Sequence, residues 1–213
     1  MSQALRVESG DTSAVLDPAR VSFQEFLVWP GENQHVEWVN GKVAPMSPVT
    51  EPHEDISGFL YALLRLFVES HRLGRVYSEP FVMKTGPDLP GRCPDVLFIA
   101  RKHQARVKHL YVEGPADLVV EVISPGSRAI DRGQKFHEYE QGGVPEYWLL
   151  DPEREQAEFY QRGQDGMYRL VPAGADGIYR SRALPGLWLN IQWLWRRPPL
   201  MSVLGEWKLA QAP

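Results

Sequence analysis

The sequence predicts one α/β or α+β domain in which a mixed central β-sheet is flanked by helices. Apolar residues recur at three- and four-residue spacing from Ile56 to Phe67, which is typical of an amphipathic helix, expected over roughly residues 53–71. An apolar run between a Gly-Pro turn signal and a Ser-Pro-Gly stop, residues 117–125, is typical of a buried strand. Strand and helix patterns are interleaved along the chain, and this order favours one sheet with mixed strand directions.

Two short elements precede the long helix. Ser22, followed three residues later by Glu25, forms a capping-box pattern that predicts a short helix, which Pro30-Gly31 would end. Asn40-Gly41 separates two short apolar runs. Because both central positions of a type I′ turn need a positive φ, this dipeptide predicts an N-terminal hairpin.

The remaining elements follow the long helix. A second helix is expected over residues 127–141, closed by Gly142-Gly143. Residues 86–92 are rich in Gly and Pro and are predicted to form a loop. Residues 187–194 are apolar and Trp-rich, which fits a strand or a short helix. Further strands are predicted at residues 76–78, 81–84, 94–99, 144–152, 157–161 and 167–171.

Length and composition suit a single domain. The chain has 213 residues, of which 43% are hydrophobic, enough for a sizeable core. We expect a mobile N-terminal segment (1–16), a domain over residues 17–195 and a C-terminal tail (196–213). No segment approaches 18 consecutive apolar residues, so no membrane association is expected.

Charge and cysteine content narrow the function classes. The single cysteine, Cys93, excludes an internal disulfide and a thiolate metal cluster, and with no apolar leader it predicts a cytoplasmic protein. The net charge of −4 argues against a strong non-specific nucleic-acid binder. It does not argue against a nuclease, because acidic metal ligands make the sum negative and bound divalent ions locally reverse it.

Two carboxylates on predicted strands form the first candidate site. Glu121 lies inside the apolar run, where an isolated charge would be costly, so it needs a cationic partner, a proton or a metal ion. Asp95 begins the 94–99 strand. Mg²⁺ is commonly held by one or two carboxylates, and the carbonyl of Val122 could supply a further ligand. The alternatives are an exposed, inert Asp95 and a structural ion pair at Glu121.

The second predicted helix carries a polar stripe. Asp131, Lys135 and Tyr139 are spaced four residues apart and therefore share one helix face. This face could be a solvent-exposed ion pair of little energetic consequence. Alternatively, it could place the Lys135 ammonium near Glu121, where it would polarise a water nucleophile or offset phosphate charge.

Other polar residues have two interpretations each. His53, at the start of the long helix, is either a cap or surface residue or else a metal ligand or general base. Glu37 alternates with apolar neighbours in the hairpin and is expected on its solvent face, with a supporting role at the site left open. Ser124 lacks the sequence context of a nucleophile and is expected to cap the following turn. The basic run 101–109 either contacts phosphates or is a solvated loop.

Taken together and in this order, these residues make the chain resemble the Uma2 family of restriction-endonuclease-like proteins over roughly residues 20–195. The resemblance rests on Glu37, Asn40-Gly41, Ser47-Pro48, His53, Pro94-Asp95, residues 118–125, Asp131, Lys135, Tyr139 and residues 143–148.

The resemblance implies a PD-(D/E)xK nuclease fold, with Mg²⁺ or Mn²⁺ bound by Asp95, Glu121, Val122 and His53. That motif expects a lysine two residues after the acidic strand residue, and Ile123 stands there. Lys135 then replaces it from the next helix, as some nucleases of this fold show. Four further residues would contact and orient the metal ligands and Lys135: Asp131, Tyr139, Glu37 and Ser124.

Three functions are compatible with these residues. The first is a metal-dependent endonuclease that hydrolyses DNA phosphodiester bonds. The second is a non-catalytic binding module, which Ile123 and the acidic composition favour, and the third is a hydrolase of another phosphodiester. A homodimer is expected for an enzyme that cuts both strands, and Trp188, Trp193 and Trp195 would either supply its apolar interface or pack in the core.

Overall fold

The computed structural model describes residues 20–28, 35–46 and 48–209. Its helices are α1 (Phe23–Leu27), α2 (Glu51–Ser70), α3 (Phe136–Gly142), α4 (Gln192–Arg196) and α5 (Leu200–Glu206). Its strands are β1 (Val36–Val39), β2 (Lys42–Pro45), β3 (Gly74–Ser78), β4 (Val82–Lys84), β5 (Gly91–Arg92), β6 (Val96–Ala100), β7 (Tyr111–Glu113), β8 (Leu118–Val122), β9 (Glu146–Asp151), β10 (Gln156–Arg162), β11 (Tyr168–Leu170), β12 (Ile178–Arg180) and β13 (Trp188–Asn190).

A six-stranded mixed sheet forms the centre of the fold. Its strand order is β11-β10-β9-β8-β6-β3, with β8 and β9 parallel and the other neighbours antiparallel. The predicted mixed central sheet is therefore confirmed. A second sheet, in the order β2-β1-β5-β4-β7, carries the N-terminal hairpin, and a small ribbon pairs β12 with β13.

The two faces of the central sheet are covered differently. Side chains alternate along a strand, so Leu118, Val120 and Val122 of β8 point to the face that packs against α2. Val119 and Ile123 point to the opposite face, which packs against Tyr139 of α3 and other apolar residues. Glu121 belongs to this second face, because it lies between Val119 and Ile123 in the alternation.

The N-terminal elements follow their local sequence signals. Ser22 caps α1, and its side chain and that of Glu25 form the predicted capping box. Asn40 and Gly41 have φ values of 51° and 81°, as a type I′ hairpin turn requires. The residues predicted to end α1, Pro30-Gly31, lie outside the described part of the chain, as does the whole of segment 1–16.

Two predicted elements differ from those observed. The helix expected over residues 127–141 is π-helical over Ile130–Lys135 and α-helical over Phe136–Gly142, and Gly143 ends it with a φ of 84°. The spacing of polar residues could not reveal this change, because positions four apart face the same way in both. The loop predicted at residues 86–92 contains the short strand β5, whose pairing partners are distant in sequence.

The C-terminal part of the described chain packs on the α2 face. Residues 187–194 are predicted from the sequence to form a strand or a short helix, and the segment contains both: the strand β13 is followed by the helix α4. Within the segment assigned as a tail, α5 buries Val203 and Leu204 against the core. The three tryptophans Trp188, Trp193 and Trp195 are partly buried against the same core cluster. Among the described helices, none combines the length and apolar character that a bilayer crossing requires.

Candidate active site

The pairing of β6 with β8 brings the two predicted carboxylates together. Val96 lies opposite Val120 in this antiparallel ladder, so continuing the register by one residue sets Asp95 opposite Glu121. Asp95 is 5% exposed and Glu121 is 2% exposed. Asp95 is therefore not exposed, and both acids lie in one buried pocket at this end of the sheet.

Both oxygens of Glu121 accept hydrogen bonds from the helix that follows. Lys135 Nζ donates to Oε2 at 2.9 Å, and the Tyr139 hydroxyl donates to Oε1 at 2.6 Å. The polar stripe thus faces the site rather than solvent. Burial raises the pKa of Glu121 well above its usual range, and Asp95 and Asp131 add to the effect while Lys135 opposes it.

Lys135 is surrounded by carboxylates. Besides Glu121, its Nζ lies 3.1 Å from Asp131 Oδ1 and 3.8 Å from Glu37 Oε1. Burial disfavours the ammonium, but these carboxylates outweigh it and hold the pKa of Lys135 well above its usual range. Lys135 is therefore charged. The Asp131 oxygens nevertheless accept no well-aligned hydrogen bond from any described residue.

His53 contacts Asp95 from the first turn of α2. Its Nε2 lies 3.2 Å from Asp95 Oδ1, and the ring is 4% exposed, so the surface interpretation is wrong. The backbone N–H of Val122 donates to the other oxygen of Asp95 at 2.6 Å. Burial disfavours the imidazolium, but the hydrogen bond and charge of Asp95 outweigh it, so the pKa of His53 is raised.

Glu37 does not lie on a solvent face, contrary to the sequence expectation. It is 6% exposed, accepts a hydrogen bond from Arg92 Nη1 at 2.7 Å and accepts another from the Cys93 N–H at 3.1 Å. Arg92 also binds Glu138 of α3 through Nε at 2.7 Å. Sequence reasoning missed Arg92, which connects the hairpin sheet to the helix that carries Lys135.

Glu79 is a second residue that the sequence did not reveal. It lines the pocket, and its Oε2 is buried without a hydrogen-bond partner among the described residues. Burial raises the pKa of Glu79, and the charge of Asp95 adds to the effect. The only sequence signal is a carboxylate placed just before Pro80, at the end of β3.

Ser124 has the capping role predicted for it. Its Oγ accepts a hydrogen bond from the Ser127 N–H at 3.2 Å, at the turn that leads into the π-helical segment. It also lines the pocket beside Val122. Ser124 therefore shapes the edge of the site, next to the residues that project from β8.

The pocket has the charge and size for a hydrated cation. Its cavity, about 80 Å³, is large enough for several water molecules. Two cationic or titratable nitrogen groups, Lys135 and His53, face five carboxylates: Glu37, Glu79, Asp95, Glu121 and Asp131. No three of the described His, Cys, Asp and Glu side chains are arranged as a metal-binding group. Mg²⁺ needs fewer protein ligands than this, since it keeps waters. Glu79 Oε2, which has no hydrogen-bond partner among the described residues, fits an added positive charge.

A family comparison identifies the chain. The model of the family described as "Uma2: Putative restriction endonuclease" matches residues 23–192, well over half of the sequence. The chain belongs to the Uma2 family. The resemblance drawn from the residues is thus confirmed, and membership supports a nuclease assignment.

A solved structure shows the same fold. A crystal structure described as that of "a putative nuclease belonging to DUF820" from Anabaena variabilis superposes on this Uma2 chain with a TM-score of 0.67. The two sequences are 19% identical, and the match covers 83% of this chain and 98% of that chain. The restriction-endonuclease-like fold class is thus confirmed. Comparison with curated proteins gives no match.

Proposed function

We infer that this Uma2 protein is a metal-dependent endonuclease that hydrolyses DNA phosphodiester bonds. The observation that carries the proposal is the convergence of Asp95, Glu121 and Lys135 in one pocket, although Lys135 comes from a different element than the motif expects. Two acids and a lysine are what metal-assisted phosphodiester hydrolysis requires of a protein. Membership of a family described as endonuclease-like agrees with this function.

Asp95 and Glu121 would hold Mg²⁺ or Mn²⁺ together with the Val122 carbonyl and waters. The ring of His53, which binds Asp95, would have to turn to become a further ligand at the edge of the site. When bound, such an ion polarises a phosphoryl oxygen and lowers the pKa of a water molecule. Asp95 is oriented for this role by the Val122 N–H and by His53. Glu121 is oriented by the Tyr139 hydroxyl, so both carboxylates are fixed before substrate binds.

Lys135 would act on the reacting phosphate as a fixed positive charge. Its ammonium is buried, charged and 2.9 Å from Glu121, so it lies beside the position of the proposed ion. A preorganised cation in a site that excludes water stabilises negative charge that develops in the transition state. Its nearness to Glu121 also lets it orient the attacking water. His53 beside Asp95 would complete the ion's shell or accept a proton.

Cleavage of supercoiled plasmid DNA in the presence of Mn²⁺ tests the proposal. Asp95→Asn and Glu121→Gln keep the side-chain shapes but remove the charges, and each should abolish nicking. Glu69→Gln removes an exposed carboxylate far from the pocket and serves as the control. If Asp95→Asn and Glu121→Gln both cleave like the parent protein, the assignment is wrong.

Calorimetric titration with Mn²⁺ separates an enzyme from a non-catalytic module of the same fold. The parent should bind Mn²⁺ and lose that binding in Asp95→Asn. A parent that fails to bind Mn²⁺ at millimolar concentration would support the binding-module alternative. Hydrolysis of small phosphodiesters without plasmid cleavage would identify a different substrate.

A further inference from the structure

A second cleft lies at the far end of the strands that carry the candidate active site. It opens beside Ala100, at the end of β6, and Asp117, just before β8. Asp95 and Glu121 lie at the opposite ends of these strands. Ala100 is five positions after Asp95, so the two sites are roughly 17 Å apart along the sheet. The volume of this cleft, about 620 Å³, lies within the usual range of small-molecule sites.

The rim of the far cleft is basic. Arg72, Arg101, Lys102 and Arg182 line it, and all four are exposed. Within the described part of the chain, none of these four side chains lies within 4.0 Å of a carboxylate oxygen. Other exposed arginines of the chain, such as Arg169 and Arg180, do form such pairs. The rim therefore presents uncompensated positive charge.

Glu146, a carboxylate in the cleft wall, is fully engaged inside the protein. It is 1% exposed, and its Oε1 accepts from Trp148 Nε1 at 2.7 Å and from the Tyr179 hydroxyl at 2.8 Å. Its Oε2 accepts from the N–H groups of Arg182 and Ala183 at 2.8 and 2.7 Å. Four donors occupy its acceptor positions, so Glu146 cannot pair with the rim.

Asp117, the other carboxylate in the wall, is engaged in the same way. Its Oδ2 accepts from the Ala100 N–H at 2.7 Å, and its Oδ1 lies 2.8 Å from His103 Nδ1. Two other basic residues of the 101–109 run, Arg106 and Lys108, have partners of their own. Arg106 binds the Pro115 carbonyl, and Lys108 pairs with Glu113 at 3.2 Å. Only the first residues of that run therefore contribute charge to the cleft.

We propose that the far cleft is a binding site for a small phosphorylated organic molecule of nucleotide type. These four cations have no carboxylate partner among the described residues, and only Arg182 uses part of its fork internally, through Nη2 to the Arg162 carbonyl at 3.1 Å. Together they fit a di- or triphosphate group, for which arginine forks are well suited. The wall also contains the apolar residues Leu73, Pro145 and Pro185, which could cover a base or sugar. A cleft of this size suits a single nucleotide better than a polynucleotide, and the net charge of −4 also disfavours a general polynucleotide surface.

Equilibrium binding of fluorescent ATP to the full-length protein tests this site. The buffer contains no divalent ion, so a phosphate held by metal at the candidate active site does not contribute. Arg101→Ala/Lys102→Ala removes two rim cations. Lys42→Ala/Arg75→Ala removes two exposed cations that line no part of the cleft, with the same change in net charge.

The rim double variant should weaken ATP binding by roughly tenfold or more, because charge-assisted contacts to phosphate are the strong ones. The control double variant should bind within about twofold of the parent. Circular dichroism should show both variants folded, since all four positions are exposed. Three results would overturn the proposal: no ATP binding by the parent at millimolar concentration, equal weakening in both variants, or binding of a DNA duplex but not ATP through the rim.

Discussion

Lys135 Nζ lies 2.9 Å from Glu121 Oε2, although the two residues are 14 positions apart and come from different elements. The strand position where the nuclease motif expects lysine holds Ile123, which is 2% exposed in the apolar cluster. The helical segment after β8 thus supplies the lysine that contacts Glu121, because β8 itself provides none. This relationship explains how the carboxyl group of Glu121 is accommodated in a buried strand.

Replacing Lys135 with methionine should destabilise the protein. The variant keeps the buried volume but leaves Glu121 and Asp131 without their cation, and breaking a buried ion pair costs about 3–5 kcal/mol. Urea denaturation at neutral pH measures the loss. The cost should be smaller at acidic pH, where both carboxyls are protonated. Lys42→Met, at an exposed position, should change stability by less than about 0.5 kcal/mol; an equally small effect at Lys135 would refute this account.

Glu146→Gln should loosen the connection between β9 and the segment around Arg182. The glutamine amide would place an N–H₂ group against at least one of the N–H donors that the carboxylate now accepts. Leaving buried donors unsatisfied costs about 1–3 kcal/mol, measurable as a shift in the urea midpoint. The exposed Glu206→Gln is the matched control. Equal stability of the two variants would show that the four contacts contribute little.

The protein should lose stability steeply in alkaline solution. Burial raises the pKa of Tyr147, Tyr168 and Tyr179, and burial together with Glu158 raises the pKa of Tyr160 to about 12. Unfolded tyrosines ionise near pH 10, so above that pH the unfolded state releases protons that the folded state retains. Stability therefore falls as pH rises. Tyrosinate absorbance should appear together with unfolding; a gradual appearance in folded protein would contradict the burial argument.

The Cys93 thiol should be inert while the protein is folded. It is 1% exposed, and burial, with a contribution from the charge of Glu37, raises its pKa. Since the thiolate is the reactive form, a thiol reagent at pH 8 should label Cys93 only after addition of denaturant. Rapid labelling under native conditions would mean that the region between β5 and β6 opens readily.

Much of the site could be predicted because each residue carries a local signal. Glu121 is a carboxylate inside an apolar strand, and any buried carboxylate needs a hydrogen-bonding or charged partner. The four-residue spacing of Lys135 and Tyr139 puts both on one face, and the structure shows that face turned toward Glu121. The mixed sheet followed from the order of strand and helix patterns.

One candidate that the sequence placed wrongly, Glu37, and the residues that it missed depend on contacts that are distant in sequence. Glu37 alternates with apolar neighbours and therefore looks like a solvent-facing strand residue. Its partner Arg92 is 55 residues away, in a two-residue strand that no periodicity can reveal. Glu79 becomes part of the site only through the pairing of β3 with β6. The π-helical segment is equally hidden, since nothing in its sequence distinguishes it from an α-helix.

The central claim is that Lys135, acting from the helix, serves a metal-dependent cleavage site. The most direct measurement compares Mn²⁺-dependent plasmid cleavage and Mn²⁺ binding for Lys135→Met and the parent protein, at a temperature where both are folded. We predict that cleavage falls by about 100-fold or more, because a preorganised charge near the reacting phosphate is lost. Mn²⁺ binding should be retained, because the ligands Asp95 and Glu121 remain. Undiminished cleavage by Lys135→Met would contradict the claim.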